Sequence, residues 1–422
     1  MIQLSDNPLL PYSQVRLANG FTLIHKAVHT APILAIDIWI HTGAIHDPEP
    51  HYGLSHFFEH MFFKGTERHG TGEMDRIITS LGGYNNAATS LDYTHYYVVL
   101  PSVGWRHALE VLLDSLLNPL FDPQEIERER SVIIEEIKRH EDNPWSKIYD
   151  EFTQAAFARC PYQRQVLGSV ESLGTIQRET FFQYHRERYA PHNITLCVVG
   201  DAAFDEVKDE IERLTASSKP DAPNAVPAGP LPEFDQIDAS AEVVLRRDVN
   251  QSYLLLGYPT PRLTGLRQEY GLDALSSMLG DGRSSRLYRR LNDELGLVSS
   301  IGCTYWSLAH AGMFIIDAVT DPDKVDRVEE EIERELAKLW DTMNETELEK
   351  IKSMARADFA FSNEKVISVA HTYGYGSVIH QVEHAVYYLQ HLLTVNLEEI
   401  RQSMETYIQP RRRCKGLLLP RS

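Results

Sequence analysis

The sequence predicts an α+β fold in two halves joined by a proline-rich linker, on three observations. A chain of 422 residues is too long for one ordinary core and calls for two or more domains. Short β-rich runs alternate with segments of helical spacing along most of its length. Residues 215–235 hold five prolines among small polar residues, which is linker chemistry separating 1–214 from 236–422.

In the first half, "ILAIDIWIHTG" alternates Ile36, Ile38 and Ile40 with Asp37 and Trp39, the period-two pattern of a strand. "THYYVVLP" and "NITLCVVGD" are further strands. Between them, "GEMDRIITSLGG" carries Met74, Ile77, Ile78 and Leu81 at helical spacing and stops at Gly82. "GWRHALEVLLDSLLNP" does likewise with Trp105, Leu109, Leu112, Leu113 and Leu116. The next helix opens on Asp122 as N-cap, Pro123 and Glu125, with Ile126, Ile133 and Ile137 as its buried stripe. In the second half, "SYLLLGYP" and "GMFIIDAVTD" read as strands, and long helices fall around 322–341 and 344–361. Both halves close alike, on "RYAPHNITLCVVGD" and "TYIQPRRRCKGLLLP", which reads as a duplication at a period far longer than a solenoid repeat.

A net charge of −19 argues against nucleic acid or an anionic membrane as partner and favours neutral or basic ligands. No apolar run approaches the roughly 20 residues of a membrane span. The N-terminus has neither a basic segment followed by an apolar one nor an Arg-rich transit character, so a cytoplasmic protein is expected, or a periplasmic one if the native start lies elsewhere. The four cysteines are widely spaced with no CxxC pair, which argues against a zinc-thiolate site or a disulfide framework.

One segment stands out chemically. "GLSHFFEHMFFKGT" (53–66) sets two histidines and a glutamate among four phenylalanines. On a helix His56 and His60 lie about 40° apart with Glu59 about 60° to the other side, so all three share an arc of about 100°. Imidazoles at i and i+4 can both ligate one metal, with a carboxylate beside them as general base, and this donor set suits zinc. The site needs a third ligand. In "DPQEIERERSVIIEEIKRH" (122–140), Glu129 and Glu136 fall about 20° from each other at the edge of the apolar stripe. Carboxylates leaning toward a core are paired, protonated or bound to a cation.

"HFFEH" has the HxxEH order of the inverzincins, and Glu136 follows His60 by 76 residues with Glu129 seven before it. With "FKGT" (63–66), "LGGYNNAATSLDYTHYY" (81–97), "PYQRQVLGS" (161–169) and "LGDGRSSRLYRRL" (279–291), the chain resembles the pitrilysin/insulinase family of zinc metallopeptidases. It resembles the family's short two-domain type, similar to the mitochondrial processing peptidase beta subunit and bacterial homologues. The resemblance implies two homologous α/β sandwich domains, each a mostly antiparallel sheet packed against helices, the first catalytic and the second lacking zinc ligands. It implies one zinc per chain on His56, His60 and Glu136, with Glu59 activating water and Glu129 orienting a ligand or the water. Asn86, Ala87, Ala88 and Thr89 would then belong to an edge strand to which an extended peptide adds.

Members acting as one complete unit carry an Arg and a Tyr seven residues apart in the second half, and here Asn292 and Ser299 stand in their places. Neither supplies a comparable set of donors. The expectation is therefore a zinc endopeptidase acting on unfolded peptides in a closed chamber. It would be completed by a homologous partner chain carrying Arg and Tyr, or by Tyr288 or Tyr305 substituting within the chain or a homodimer. The competing reading is a structural or peptide-binding subunit without catalysis.

Overall fold

The computed structural model describes residues 7–216, 237–265, 267–410 and 412–421. The linker expected at 215–235 lies, from residue 217 on, outside the described residues. Strands β1 (Ser13–Arg16), β2 (Thr22–Ala27), β3 (Ile33–Ile40), β4 (Tyr84–Thr89), β5 (Thr94–Pro101) and β6 (Ile194–Gly200) form a sheet in the order β1-β2-β6-β3-β5-β4. Strands β7 (Glu242–Arg247), β8 (Ser252–Thr260), β9 (Val298–Ser307), β10 (Gly312–Thr320) and β11 (Cys414–Pro420) form a second, in the order β7-β11-β8-β10-β9.

The helices before residue 217 are α1 (Leu54–Phe62), α2 (Glu73–Ser80), α3 (Trp105–Leu117), α4 (Pro123–Asp142), α5 (Pro144–Ala156), α6 (Val170–Thr175), α7 (Arg178–Arg188) and α8 (Phe204–Leu214). Those after it are α9 (Arg267–Gly280), α10 (Val325–Thr342), α11 (Glu345–Ser362), α12 (Val366–Ile379), α13 (Val382–Leu393) and α14 (Leu397–Tyr407), with a π-helical turn at Tyr288–Glu294.

The fold is thus mixed α+β, and its two sheets repeat one plan. In each, a single parallel pair (β2 with β6, β7 with β11) is followed by antiparallel neighbours only. The order β2-β6-β3-β5-β4 matches β7-β11-β8-β10-β9 place for place. β6 and β11 carry the two similar closing segments of the sequence; β6 inserts between β2 and β3, and β11 between β7 and β8.

The described residues group by contact into two units. One holds residues up to 137, 164–216 and 359–386; the other holds 138–163, 237–358 and 387–421. Helix α12 therefore belongs with the first sheet, packed on β3 and β6, and α5 with the second, packed on β7, β8 and β11. In the first unit, Ile36, Ile38, Tyr96 and Val98 point to one face of the sheet, where Phe57, Phe58 and Phe62 of α1 and Leu109, Leu112 and Leu113 of α3 bury against them. In the second, Leu254, Leu256, Phe314 and Ile316 pack with Leu275 and Leu279 of α9 and with Ile332 and Leu336 of α10. Among the described residues no helix is long and apolar enough to cross a membrane.

Candidate metal centre

The centre is built on α1. Phe57, Phe58 and Phe62 are each about 99% buried or more, and burial of such a side chain stabilises by roughly 1.5–3 kcal/mol. Phe62 stacks on Tyr96 of β5 at 3.8 Å between ring centroids. These anchors fix the rotation of the helix, leaving His56, Glu59 and His60 along its other side.

Its start is fixed as firmly. Asp47 accepts hydrogen bonds from the backbone N–H of Gly53 (2.8 Å) and of Ser55 (3.0 Å), an acceptor placed where the first turn leaves donors unpaired. Gly53 takes φ +89°, and a Cβ there would meet Leu167 O at 2.7 Å. A Cβ on Gly168 (φ +69°) would meet Tyr52 O at 2.3 Å. Arg164 donates to Ile45 O (2.6 Å) and Asp47 O (2.9 Å). The segment "PYQRQVLGS" thus serves as a backbone clamp on the entrance to α1.

The long helix α4 begins as expected, with Asp122 Oδ1 accepting from the N–H of Gln124 at 2.8 Å, and it buries Ile126, Ile133 and Ile137. It brings Glu136 Oε2 to 3.9 Å from His56 Nε2 and 3.7 Å from His60 Nε2. One donor atom from each of these three residues lies within 4.8 Å of the others. Glu129, also buried, accepts a bond from His60 Nδ1 at 2.9 Å and pairs with Lys64 Nζ at 2.7 Å. The bond to Nδ1 leaves the Nε2 lone pair of His60 directed at Glu136, the tautomer a metal ligand requires. Lys64, the lysine of "FKGT", was not singled out as part of the site by its spacing.

Burial, then the neighbouring His60, pushes the pKa of His56 down to about 3, so its ring is neutral and able to ligate. Burial also raises the Glu59 carboxyl above its ordinary range, opposed by a hydrogen bond from the Thr89 hydroxyl. Desolvation works to raise Glu129 too, but the bonds from His60 and Lys64 outweigh it and hold the carboxyl below its ordinary range.

The strand expected to receive substrate is β4, at the edge of its sheet and paired to β5. Asn86 and Ala88 are exposed and Ala87 is half-buried. Thr89, on the same strand, directs its side chain to Glu59. At the two positions where Arg and Tyr were expected and missing, the side chains are engaged locally. Asn292, in the π-helical turn, donates to Val298 O at 2.9 Å, and Ser299 donates to Val319 O at 3.3 Å. Tyr288 accepts from Arg283 Nε at 3.4 Å, and Tyr305 lies on β9.

Two histidines at i and i+4, a glutamate between them and a carboxylate from a second helix form a cluster that could hold a metal ion, in the HxxEH order. Residues 23–170 match the family model described as Insulinase (Peptidase family M16), and residues 175–355 match the one described as Peptidase M16 inactive domain. The chain belongs to this insulinase family of peptidases. It is 30% identical to an uncharacterized zinc protease, YmxG, of Bacillus subtilis over 83% of this chain and 84% of that one. It is 29% identical to an uncharacterized zinc protease of Rickettsia felis over the same shares. Its fold matches the crystal structure of a protease from Helicobacter pylori with a TM-score of 0.91 at 25% identity, covering 97% of this chain and 100% of that one.

Proposed function

We propose that the chain is a zinc-dependent endopeptidase, or the catalytic subunit of one, that hydrolyses unfolded peptides bound in extended form. The observation that carries this reading is the convergence of His56 Nε2 and His60 Nε2 on one carboxylate oxygen of Glu136, with Glu59 on the same side of α1. The names of the similar proteins, zinc proteases, support it. His56, His60 and Glu136 would hold the zinc ion, which would supply Lewis acidity there when bound. Glu59, its proton affinity raised by burial, accepts a proton from the attacking water and returns it to the leaving amine. Thr89 holds the Glu59 carboxylate in place, and Glu129 with Lys64 holds the His60 ring. The exposed backbone edge of β4 aligns the peptide as an added strand.

The reading includes a partner chain of similar fold that contributes an Arg and a Tyr to stabilise the developing oxyanion. Replacing Glu59 with Gln tests the assignment. Zinc content should stay at the wild-type level while peptide hydrolysis by the complex isolated with its partners falls by at least about 10²-fold. Undiminished hydrolysis refutes Glu59 as the base, and absence of hydrolysis in the wild-type complex favours a structural or peptide-binding subunit.

A further inference from the structure

A second group of metal-ligating side chains lies on the other face of the first sheet. Successive residues of a strand point to opposite faces. Asp37 and Trp39 of β3, and His95 of β5, which pairs with Trp39, therefore face away from α1 and toward α12. There they meet His371 of α12. Asp37 is fully buried, and among the described residues no lysine or arginine lies within 4.0 Å of it. Its partners are His95 Nδ1 (3.0 Å from Oδ1), Trp39 Nε1 (2.6 Å from Oδ2) and, beyond hydrogen-bond range, His371 Nε2 (3.6 Å from Oδ2). That Nε2 is buried and has no hydrogen-bond partner.

We propose that Asp37, His95 and His371 form a second metal site, for a divalent cation of the zinc class, that ties α12 to the first sheet. One donor atom from each residue lies within 4.8 Å of the others, as at the HxxEH centre. Ligands about 2.0–2.1 Å from a tetrahedral ion sit roughly 3.3 Å apart, so small side-chain movements close the set. Two imidazoles and a carboxylate suit zinc, and the Trp39 N–H fixes the carboxylate from outside, the role outer partners play at such sites. Burial lowers the pKa of His371, favouring the neutral ring that ligates. The packing is built around this contact: a Cβ on Gly374, one turn along from His371, would lie 2.0 Å from Trp39 Nε1. The His371 side chain is 36% exposed, which gives an ion a way in.

The proposal raises the metal content from one ion per chain to two and does not rest on the reading of the HxxEH centre. It is tested on the full chain, stripped with a chelator, refilled with zinc, desalted and analysed for bound metal. Two equivalents are expected for the wild type, one for His371→Ala, one for His56→Ala and none for the double variant. Zinc should raise the melting temperature of stripped His56→Ala but not that of the double variant. A wild-type content of one that persists in His371→Ala overturns the proposal, as does a content of two that His371→Ala leaves unchanged. If His371→Ala does not fold, Asp37→Asn takes its place with the same outcomes. Loss of an equivalent in His56→Ala tests the HxxEH centre separately.

Discussion

At the scale of single residues, Glu129 separates a ligand from the group that prepares a ligand. It is buried, bonds His60 Nδ1 and Lys64, and sits on the same helix as Glu136. Loss of such an outer partner typically costs 10–100-fold in metal affinity. Glu129→Gln keeps a carbonyl acceptor for His60 but abolishes the charge that Lys64 pairs with. We expect the protein to fold and its zinc affinity, measured by competition with a chromophoric chelator, to fall about 10-fold or more. An unchanged affinity would show that His60 needs no orienting partner. Truncation of Glu136 should go further and release the ion under the same conditions, because it removes one of three proposed ligands. The sequence placed both glutamates on one side of the helix about 20° apart, and a helical wheel cannot choose between them. The resemblance chose Glu136, whose Oε2 lies 3.9 Å from His56 Nε2 and 3.7 Å from His60 Nε2.

At the scale of elements, the placing of α1 depends on the loop around Gly168. Two glycines with positive φ approach until an added Cβ on either would overlap the other segment's backbone. Gly168→Ala therefore combines the cost of a left-handed conformation, about 1–2 kcal/mol, with a steric overlap costing about 1–3 kcal/mol more. Gly72 is the control, since it has φ +74° but nothing within 4 Å of its Cβ position. In denaturant titrations Gly168→Ala should lose at least about 2 kcal/mol and Gly72→Ala about 1–2 kcal/mol. Equal losses would mean that the clamp does not constrain the helix.

The same scale shows what was legible in the sequence. Strands with clean alternation, such as β3, and helices with a strong start, such as α4, could be read directly. β9 could not, because its exposed and buried residues do not alternate cleanly. Asp37 was a visible signal, a lone charge in the apolar run "ILAIDIWI". Its neighbour His371 was not, since no local pattern links residues so far apart in the chain. The grouping of α5 and α12 with sheets built from the other half of the sequence was hidden for the same reason.

At the scale of the whole molecule, one strand plan occurs twice, and among the described residues the HxxEH cluster lies in the first copy and the second copy has no such cluster. At position 292 an amide is spent on Val298 O, and at 299 a short hydroxyl bonds Val319 O. The Asn292 amide carries no charge and the Ser299 hydroxyl is short, so neither reproduces the donors of a guanidinium or a phenol. One missing oxyanion donor typically costs a hydrolase 10²–10³-fold in rate, about 3–4 kcal/mol of transition-state stabilisation. The isolated chain should therefore bind zinc at the HxxEH centre but cleave an unstructured peptide at least about 10²-fold more slowly than the complex recovered from its native source. The comparison is of kcat/KM at equal zinc occupancy, so that metal loss cannot imitate the effect. If the isolated chain matches the complex, the missing donors come from within this chain, and Tyr288→Phe and Tyr305→Phe would then locate them. If the complex is faster and the difference lies in kcat rather than KM, the partner acts on the transition state rather than on peptide binding.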